Sequence, residues 1–240
     1  MSVARSAFAV SLASLLVAGS VSAQAITAPV QPAAAAPFDI VRTEVVSDGA
    51  EVAFKIQVRG KAGELRPKAV GQFAGSAVYS YVWPTSLDSS AVGFDAAQGI
   101  VALAVTFHPD FDDGAAGTVN RHVWHPHWVV LTKDPACAAA ALKVKDIPPG
   151  AKPKLPPTWP GAPLLIDSPT YPTTLETDTV EVRVPVSVIG AVEGAAFDGV
   201  TSALKVNANL HAPLLCVSDV FDVASGDLSL PGKVTAVRGR

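Results

Sequence analysis

The chain consists largely of short runs in which apolar and polar residues alternate. The clearest is "TVEVRVPVSVI", where every second residue from Val180 to Val188 is valine. A β-strand places residues i and i+2 on the same face, so this period predicts a strand with one buried face. The run from Glu51 to Arg59 alternates in the same way, and Asp48-Gly49 just before it is a hairpin turn signal.

About ten such runs follow one another, separated by Gly, Pro, Asn and Asp residues. The others include "SAVYSYVW", "IVALAVTF", "HVWHPHWVVL", "ALKVKDI", "PLLID", "TSALKVNANL" and "LLCVSDVFDV". No segment has a useful 3.6-residue apolar repeat, and the proline-rich "PPGAKPKLPPTWPGAP" cannot be helical. The pattern predicts an all-β chain, with one immunoglobulin-like or jelly-roll-type antiparallel β-sandwich of about ten strands over residues 38–240.

One segment carries a family resemblance. Residues 38–63, "FDIVRTEVVSDGAEVAFKIQVRGKAG", resemble the first hairpin of DOMON-like secreted β-sandwich modules, which bind haem or sugars. The resemblance implies a sandwich fold. The haem-binding members are expected to use Met and His as axial ligands, but the only methionine of this chain is Met1, so that ligand set does not carry over.

The first residues are typical of an export signal. Arg5 supplies a positive charge, the apolar run "AFAVSLASLLVAG" follows, and small residues precede Gln24. We therefore expect residues 1–23 to be a secretion signal peptide and the product to be periplasmic or secreted. Residues 24–37, rich in Pro and Ala, are expected to form a flexible leader. No later stretch has the roughly 18 consecutive apolar residues of a membrane span.

Charge and cysteine content narrow the possible partners. The net charge is −3 and no basic cluster occurs, so nucleic acid is not an expected partner. Export places Cys137 and Cys216 in an oxidising compartment, where a disulfide between them is expected. The alternative at this stage is that one or both cysteines bind a metal as thiolates.

Four of the five histidines lie close together in the sequence. "RHVWHPHW" contains His122, His125 and His127, and His108 directly follows "IVALAVTF". His125 and His127 share a strand face, so their imidazoles can converge on one ion. Pro126 cannot donate to a sheet, and a bulge there would bring His122 to the same side. We predict a site for a divalent metal, copper or zinc, at these four histidines.

Other polar residues are candidates to bind the ion or to orient the imidazoles. "HPDFDDG" supplies Asp110, Asp112 and Asp113, and His211 follows another predicted strand. The competing interpretation is a polar loop cluster in which the imidazoles bond to Asp side chains and to the backbone without an ion.

The tryptophans suggest a different function. Trp124, Trp128 and Trp159 are candidates to stack on a sugar or another flat ligand, as in a carbohydrate- or small-ligand-binding accessory module. A structural protein of the cell envelope with no small ligand is a further alternative. The chain has no Gly-x-Ser-x-Gly, P-loop or Gly-x-Gly-x-x-Gly motif, and "HPHW" lacks the rest of the carbonic anhydrase and cupin patterns. The sequence therefore favours binding over catalysis.

Overall fold

A computed structural model describes residues 24–137 and 141–236, so the expected signal peptide at residues 1–23 lies outside the described part. Strands account for most of the regular structure, and they pair almost entirely antiparallel. The prediction of an all-β chain is confirmed. Within the two described ranges, no helix is long and apolar enough to cross a membrane.

The first sheet has six strands. They are β1 (Ile26–Thr27), β2 (Ile40–Ser47), β3 (Glu51–Val58), β9 (Thr173–Glu176), β10 (Thr179–Pro185) and β15 (Thr235–Ala236). The order is β1-β2-β3-β10-β9, with β15 beside β2. The turn between β2 and β3 is the predicted one, and Asp48 stabilises it by accepting hydrogen bonds from the N–H groups of Ala50 and Glu51.

The second sheet has seven strands, six of which close into a barrel. The strands are β4 (Ala77–Pro84), β5 (Ile100–Phe107), β6 (His125–Lys133), β7 (Leu142–Val144), β8 (Ile166–Asp167), β12 (Val200–Val206) and β13 (Leu215–Val223). The order is β5-β4-β12-β13-β7-β6-β8, and β5 also pairs with β6, which closes the ring and leaves β8 outside it. The sequence did not predict this closure, and the sandwich type stays a prediction.

The remaining elements are short. They are the pair β11 (Ala196–Phe197) and β14 (Gly232–Lys233), the 3-10 turns Ala36–Phe38, Ser89–Val92 and Ala115–Gly117, and the single helical turn α1 (Val186–Ile189).

The described residues form two apolar cores, and β5 contributes to both. Val101, Leu103 and Val105 belong to the core shared by the first sheet and the barrel wall. Ala102 and Ala104 belong to the core inside the barrel. A strand that is buried on both faces is apolar at nearly every position, which accounts for "IVALAVTF".

The valine run of β10 stops earlier than the alternation predicts. Val180, Val182 and Val184 are buried, as expected of a half-buried strand. After Pro185 the chain turns into α1, and Val188 is 52% exposed. A single strand through Val188 is therefore wrong beyond Pro185, a residue that cannot donate to a sheet and that is favoured where a helical turn begins.

Residues 24–37 differ from the flexible leader that their composition suggests. Ile26 pairs with Thr43 and Thr27 with Arg42, and Ala28 is buried. Without β1, this edge of β2 would have unpaired backbone N–H and C=O groups. These groups bind the segment, an interaction that its Pro- and Ala-rich composition does not reveal.

Cys137 and Cys216 form the expected disulfide. The S–S distance is 2.01 Å and the Cα–Cα distance is 5.3 Å. The bond joins positions 79 residues apart, a loop whose closure is worth about 4 kcal/mol by chain-entropy arguments. Both thiols are consumed, so metal binding by cysteine thiolates is excluded, and the bond is compatible with export.

Candidate metal centre

Two paired strands bring three histidines to one end of the barrel. His108 directly follows β5, and His125 and His127 are the first and third residues of β6. In the antiparallel register, Thr106 lies opposite His125 and Ala104 lies opposite His127. His127 shares its strand face with Val129 and Leu131, which belong to the barrel core, so these imidazoles face the barrel interior.

The loop between β5 and β6 supplies a fourth group, Asp113. Asp112 fixes the loop by accepting hydrogen bonds from the N–H groups of Asn120 and Arg121, and it pairs with the Arg121 guanidinium at 2.7 Å. The Asn120 side chain forms hydrogen bonds with both the backbone and the carboxylate of Asp113. Its Nδ2 donates to Asp113 Oδ1 at 2.8 Å, and its Oδ1 accepts from the Asp113 N–H at 3.1 Å.

Four potential ligand atoms converge at this end of the barrel. His108 Nε2 and His125 Nε2 are 3.1 Å apart. Asp113 Oδ1 is 3.1 Å from His125 Nε2, and Asp113 Oδ2 is 3.3 Å from His108 Nε2 and 3.4 Å from His127 Nε2. All four ligand atoms lie within 4.8 Å of one another. Ligands about 2.0 Å from one ion at tetrahedral angles are roughly 3.3 Å apart, which the separations of 3.1–3.4 Å approach, whereas the atoms that are up to 4.8 Å apart would have to move inward to share one ion.

Each imidazole is oriented by a hydrogen bond from its other nitrogen to a backbone carbonyl. His108 Nδ1 is 2.9 Å from the Phe111 carbonyl, and His125 Nδ1 is 2.9 Å from the Val123 carbonyl. His127 Nδ1 is 3.0 Å from the Asp167 carbonyl. A carbonyl oxygen only accepts, so Nδ1 carries a proton in each ring, and the three Nε2 atoms face one another and the Asp113 carboxylate.

Two facing Nε2 atoms repel when both carry lone pairs, unless a proton or a metal cation lies between them. A proton shared by His108 and His125 can bridge that single pair, but it does not satisfy His127. The Nε2 atom of His127 is buried and has no hydrogen-bond partner, although Asp113 Oδ2 is nearby. Histidines that bind a metal through one ring nitrogen commonly donate a hydrogen bond from the other ring N–H to a carbonyl, as Nδ1 does in these three residues.

Burial and nearby charges shift the pKa values of His127 and Asp113. Burial lowers the pKa of His127 to about 4, a shift that the Asp113 carboxylate opposes and that the neighbouring His125 and His108 charges reinforce. Burial alone would raise the pKa of Asp113, but the charge of His127 and the hydrogen bonds from His108 and His125 outweigh it and hold that pKa well below its usual value. A neutral His127 and an ionised Asp113 are the protonation states of metal ligands.

The other residues that the sequence proposed as ligands lie elsewhere or have other roles. His122 and His211 are exposed and are not members of the converging group. His122 precedes the start of β6, so no bulge brings it inward. Asp110 accepts hydrogen bonds from the Val70 and Gly71 N–H groups, and Asp112 braces the loop as described above. Of the three aspartates, Asp113 alone points its carboxylate at the imidazoles.

The tryptophans do not form a common binding surface. Trp128 is 1% exposed and packs edge-on against Phe54 in the first core. Trp124 packs against Tyr81 and donates to the Gly63 carbonyl, while Trp159 is half-buried and donates to the Leu164 carbonyl. The apolar area of these rings is used largely to pack the protein itself.

Two residues of the site were not found by sequence reasoning. Asn120 orients Asp113, and Thr106 places a buried hydroxyl without a hydrogen-bond partner next to the site. An asparagine in a Gly-rich loop and a threonine in a strand are both common, so neither gives a signal in the sequence. Comparisons of the chain with protein-family models, with curated proteins and with solved structures give no match. The resemblance to DOMON-like modules therefore stays a prediction.

Proposed function

We propose that this protein is an exported metal-binding protein that holds one zinc ion through His108, Asp113, His125 and His127. The observation that carries the proposal is the convergence of three Nε2 atoms and one carboxylate within 4.8 Å of one another, with His127 Nε2 buried and lacking a hydrogen-bond partner. Copper(II) is the second candidate, since imidazole also suits copper, but it prefers a tetragonal arrangement. Four protein ligands favour holding a metal over catalysis, and sequestration or delivery of the metal outside the cytoplasm is the role that we infer.

The chemistry of the donor set supports a +2 ion. Imidazole and carboxylate groups are ligands that zinc accepts, and the Asp113 carboxylate offsets part of the charge of a +2 ion. The Nδ1 hydrogen bonds fix the ring orientations before any ion arrives, so little conformational freedom is lost on binding. The competing hydrogen-bonded cluster leaves the His127 Nε2 atom without a partner.

The test is the metal content of the full chain, purified without chelator and measured by mass spectrometry, followed by calorimetric titration of the stripped protein with zinc and with copper(II). We expect one zinc per chain in the parent protein. The double variant His125→Ala/His127→Ala should hold none, while His122→Ala and His211→Ala, which remove exposed imidazoles outside the group, should hold as much as the parent.

Folding of the double variant is checked by far-UV circular dichroism. Asp113→Asn offers a second, nearly isosteric change that keeps all three imidazoles and should weaken zinc binding. A parent protein that takes up neither zinc nor copper in the titration contradicts the proposal, and so does undiminished zinc binding by the folded double variant.

A further inference from the structure

The barrel contains an apolar cavity that reaches the proposed metal centre. Its volume is about 500 Å³, within the range of small-molecule sites. Most of its wall is aliphatic, with Val82 on β4, Val129 on β6 and Leu204 on β12 as examples. Protein cores normally leave few voids larger than a water molecule, so a cavity of this size is unusual and has room for a ligand.

The cavity is long in the direction of the strands. On β5 its wall runs from Thr106, beside the histidines, to Ile100 at the start of the strand. Six residues of strand span about 20 Å. Ile100 is 41% exposed, and Val220, another wall residue, is 37% exposed, so the lining continues to the protein surface. An elongated ligand fits this shape better than a compact one.

The ionisable groups of the cavity wall lie at one end, and the Thr85 and Ser202 hydroxyls, which also line the cavity, are hydrogen-bonded within the protein. His108, Asp113 and His127 line it there, whereas His125 does not, so the proposed metal would present the face formed by those three ligands to the cavity. The Thr106 hydroxyl lies at the same end, and it is buried without a hydrogen-bond partner. A buried hydroxyl that lacks a partner is costly unless a ligand supplies one.

We propose that the barrel binds a linear aliphatic molecule with one carboxylate head group, with the hydrocarbon chain along the cavity and the carboxylate between the metal centre and Thr106. The position of the head group rests on the proposed function, while the position of the hydrocarbon chain does not. Zinc can accept a fifth ligand, so a carboxylate oxygen can approach it from the cavity side while the Thr106 hydroxyl donates to the same head group.

The probe is dodecanoate, titrated below its micelle-forming concentration into the zinc-loaded full chain and followed by calorimetry, with 1-dodecanol as the control for the head group. We expect dodecanoate to bind at least about tenfold more tightly than dodecanol. Thr106→Val removes the hydroxyl at nearly constant volume and should weaken dodecanoate several-fold while leaving dodecanol unchanged.

Val82→Phe fills part of the cavity, opposite Ala104 and therefore between its two ends, and should weaken dodecanoate binding at least about tenfold. Val188→Phe makes the same change at a position that is 52% exposed on α1, outside the cavity wall, and should leave the affinity unchanged. Ala104→Phe fills the cavity from the neighbouring strand and serves if Val82→Phe does not fold. Circular dichroism and zinc content are measured for every variant.

Weaker dodecanoate binding in a folded filling variant, with binding retained in Val188→Phe, supports the proposal. No binding to the parent chain overturns it, as does undiminished binding by a folded filling variant. Equal affinities for dodecanoate and dodecanol would overturn the position of the carboxylate. If the protein holds no metal, the metal-content measurement alone contradicts the proposed function. Dodecanoate binding by the filling variants, measured without metal, then tests the position of the hydrocarbon chain separately.

Discussion

A bound zinc ion should stabilise the folded chain by a calculable amount. The four proposed ligands come from β6, from the end of β5 and from the loop between them, and they converge only when these elements are folded. Zinc that binds the folded state alone, at about 100 times its dissociation constant, contributes about 2.7 kcal/mol of stability. For a chain of this size, about 2–4 °C of Tm per kcal/mol gives a rise of about 5–11 °C.

The assay is differential scanning calorimetry of the stripped protein with and without zinc. The quantity compared among variants is the zinc-induced shift, because each variant serves as its own reference and any direct cost of the substitution cancels. The shift should vanish in His127→Ala, which removes a ligand whose Nε2 atom has no other partner. His122→Ala should keep the full shift, because that side chain is exposed and lies outside the group.

Two results would refute the reasoning. The first is a parent Tm that does not change with zinc in excess of the protein. The second is an equal shift in His127→Ala and in the parent, which would assign the stabilisation to zinc bound elsewhere, for example at the exposed histidines.

Three further predictions concern the supporting structure. Asn120→Ala removes the side chain that orients Asp113 and should weaken zinc binding by about 10–100-fold in a calorimetric titration; an unchanged affinity would show that the loop holds the carboxylate without it. Replacing Cys137 and Cys216 by alanine should lower the free energy of unfolding by about 2–5 kcal/mol in denaturant titrations, and a loss below 1 kcal/mol would contradict the loop-entropy estimate. Burial raises the pKa of Tyr81 to about 12 from its ordinary 10, so the folded state keeps the phenol proton longer than the unfolded state. The protonated Tyr81 phenol therefore contributes about 2–3 kcal/mol to the free energy of unfolding below pH 10, and this contribution is lost between pH 10 and pH 12. Tyr81→Phe should flatten that decline when stability is measured over the same pH range.

The strands and the paired histidines could be predicted because both depend on local periodicity. The run "IVALAVTF" is β5 from its first residue to its last, and the shared face of His125 and His127 follows from their i, i+2 spacing. His108 follows β5 directly, so a simple antiparallel connection to β6 was enough to bring it close. These inferences needed no knowledge of distant parts of the chain.

The choice among the three aspartates could not be made from the sequence. Asp110, Asp112 and Asp113 are chemically alike, and which carboxylate turns inward depends on loop bonds that each of them makes. Asp110 is bound by backbone N–H groups at residues 70 and 71, about 40 positions away in sequence. Only Asp113 is left with its carboxylate facing the rings, and the signal for that lies in tertiary contacts.

The closure of the barrel could not be predicted either, because it depends on contacts between distant parts of the chain, yet the side-chain sizes in β5 are consistent with it. Its outward residues Val101, Leu103 and Val105 are bulky, while Ala102 and Ala104 on the inward face are small. Small inward side chains leave space inside the ring, and the pairing of β5 with β6 places the histidines at one end of that space. The pairing that closes the barrel therefore also brings together the proposed metal ligands and one wall of the apolar cavity, so a change that separated β5 from β6 should disrupt both together.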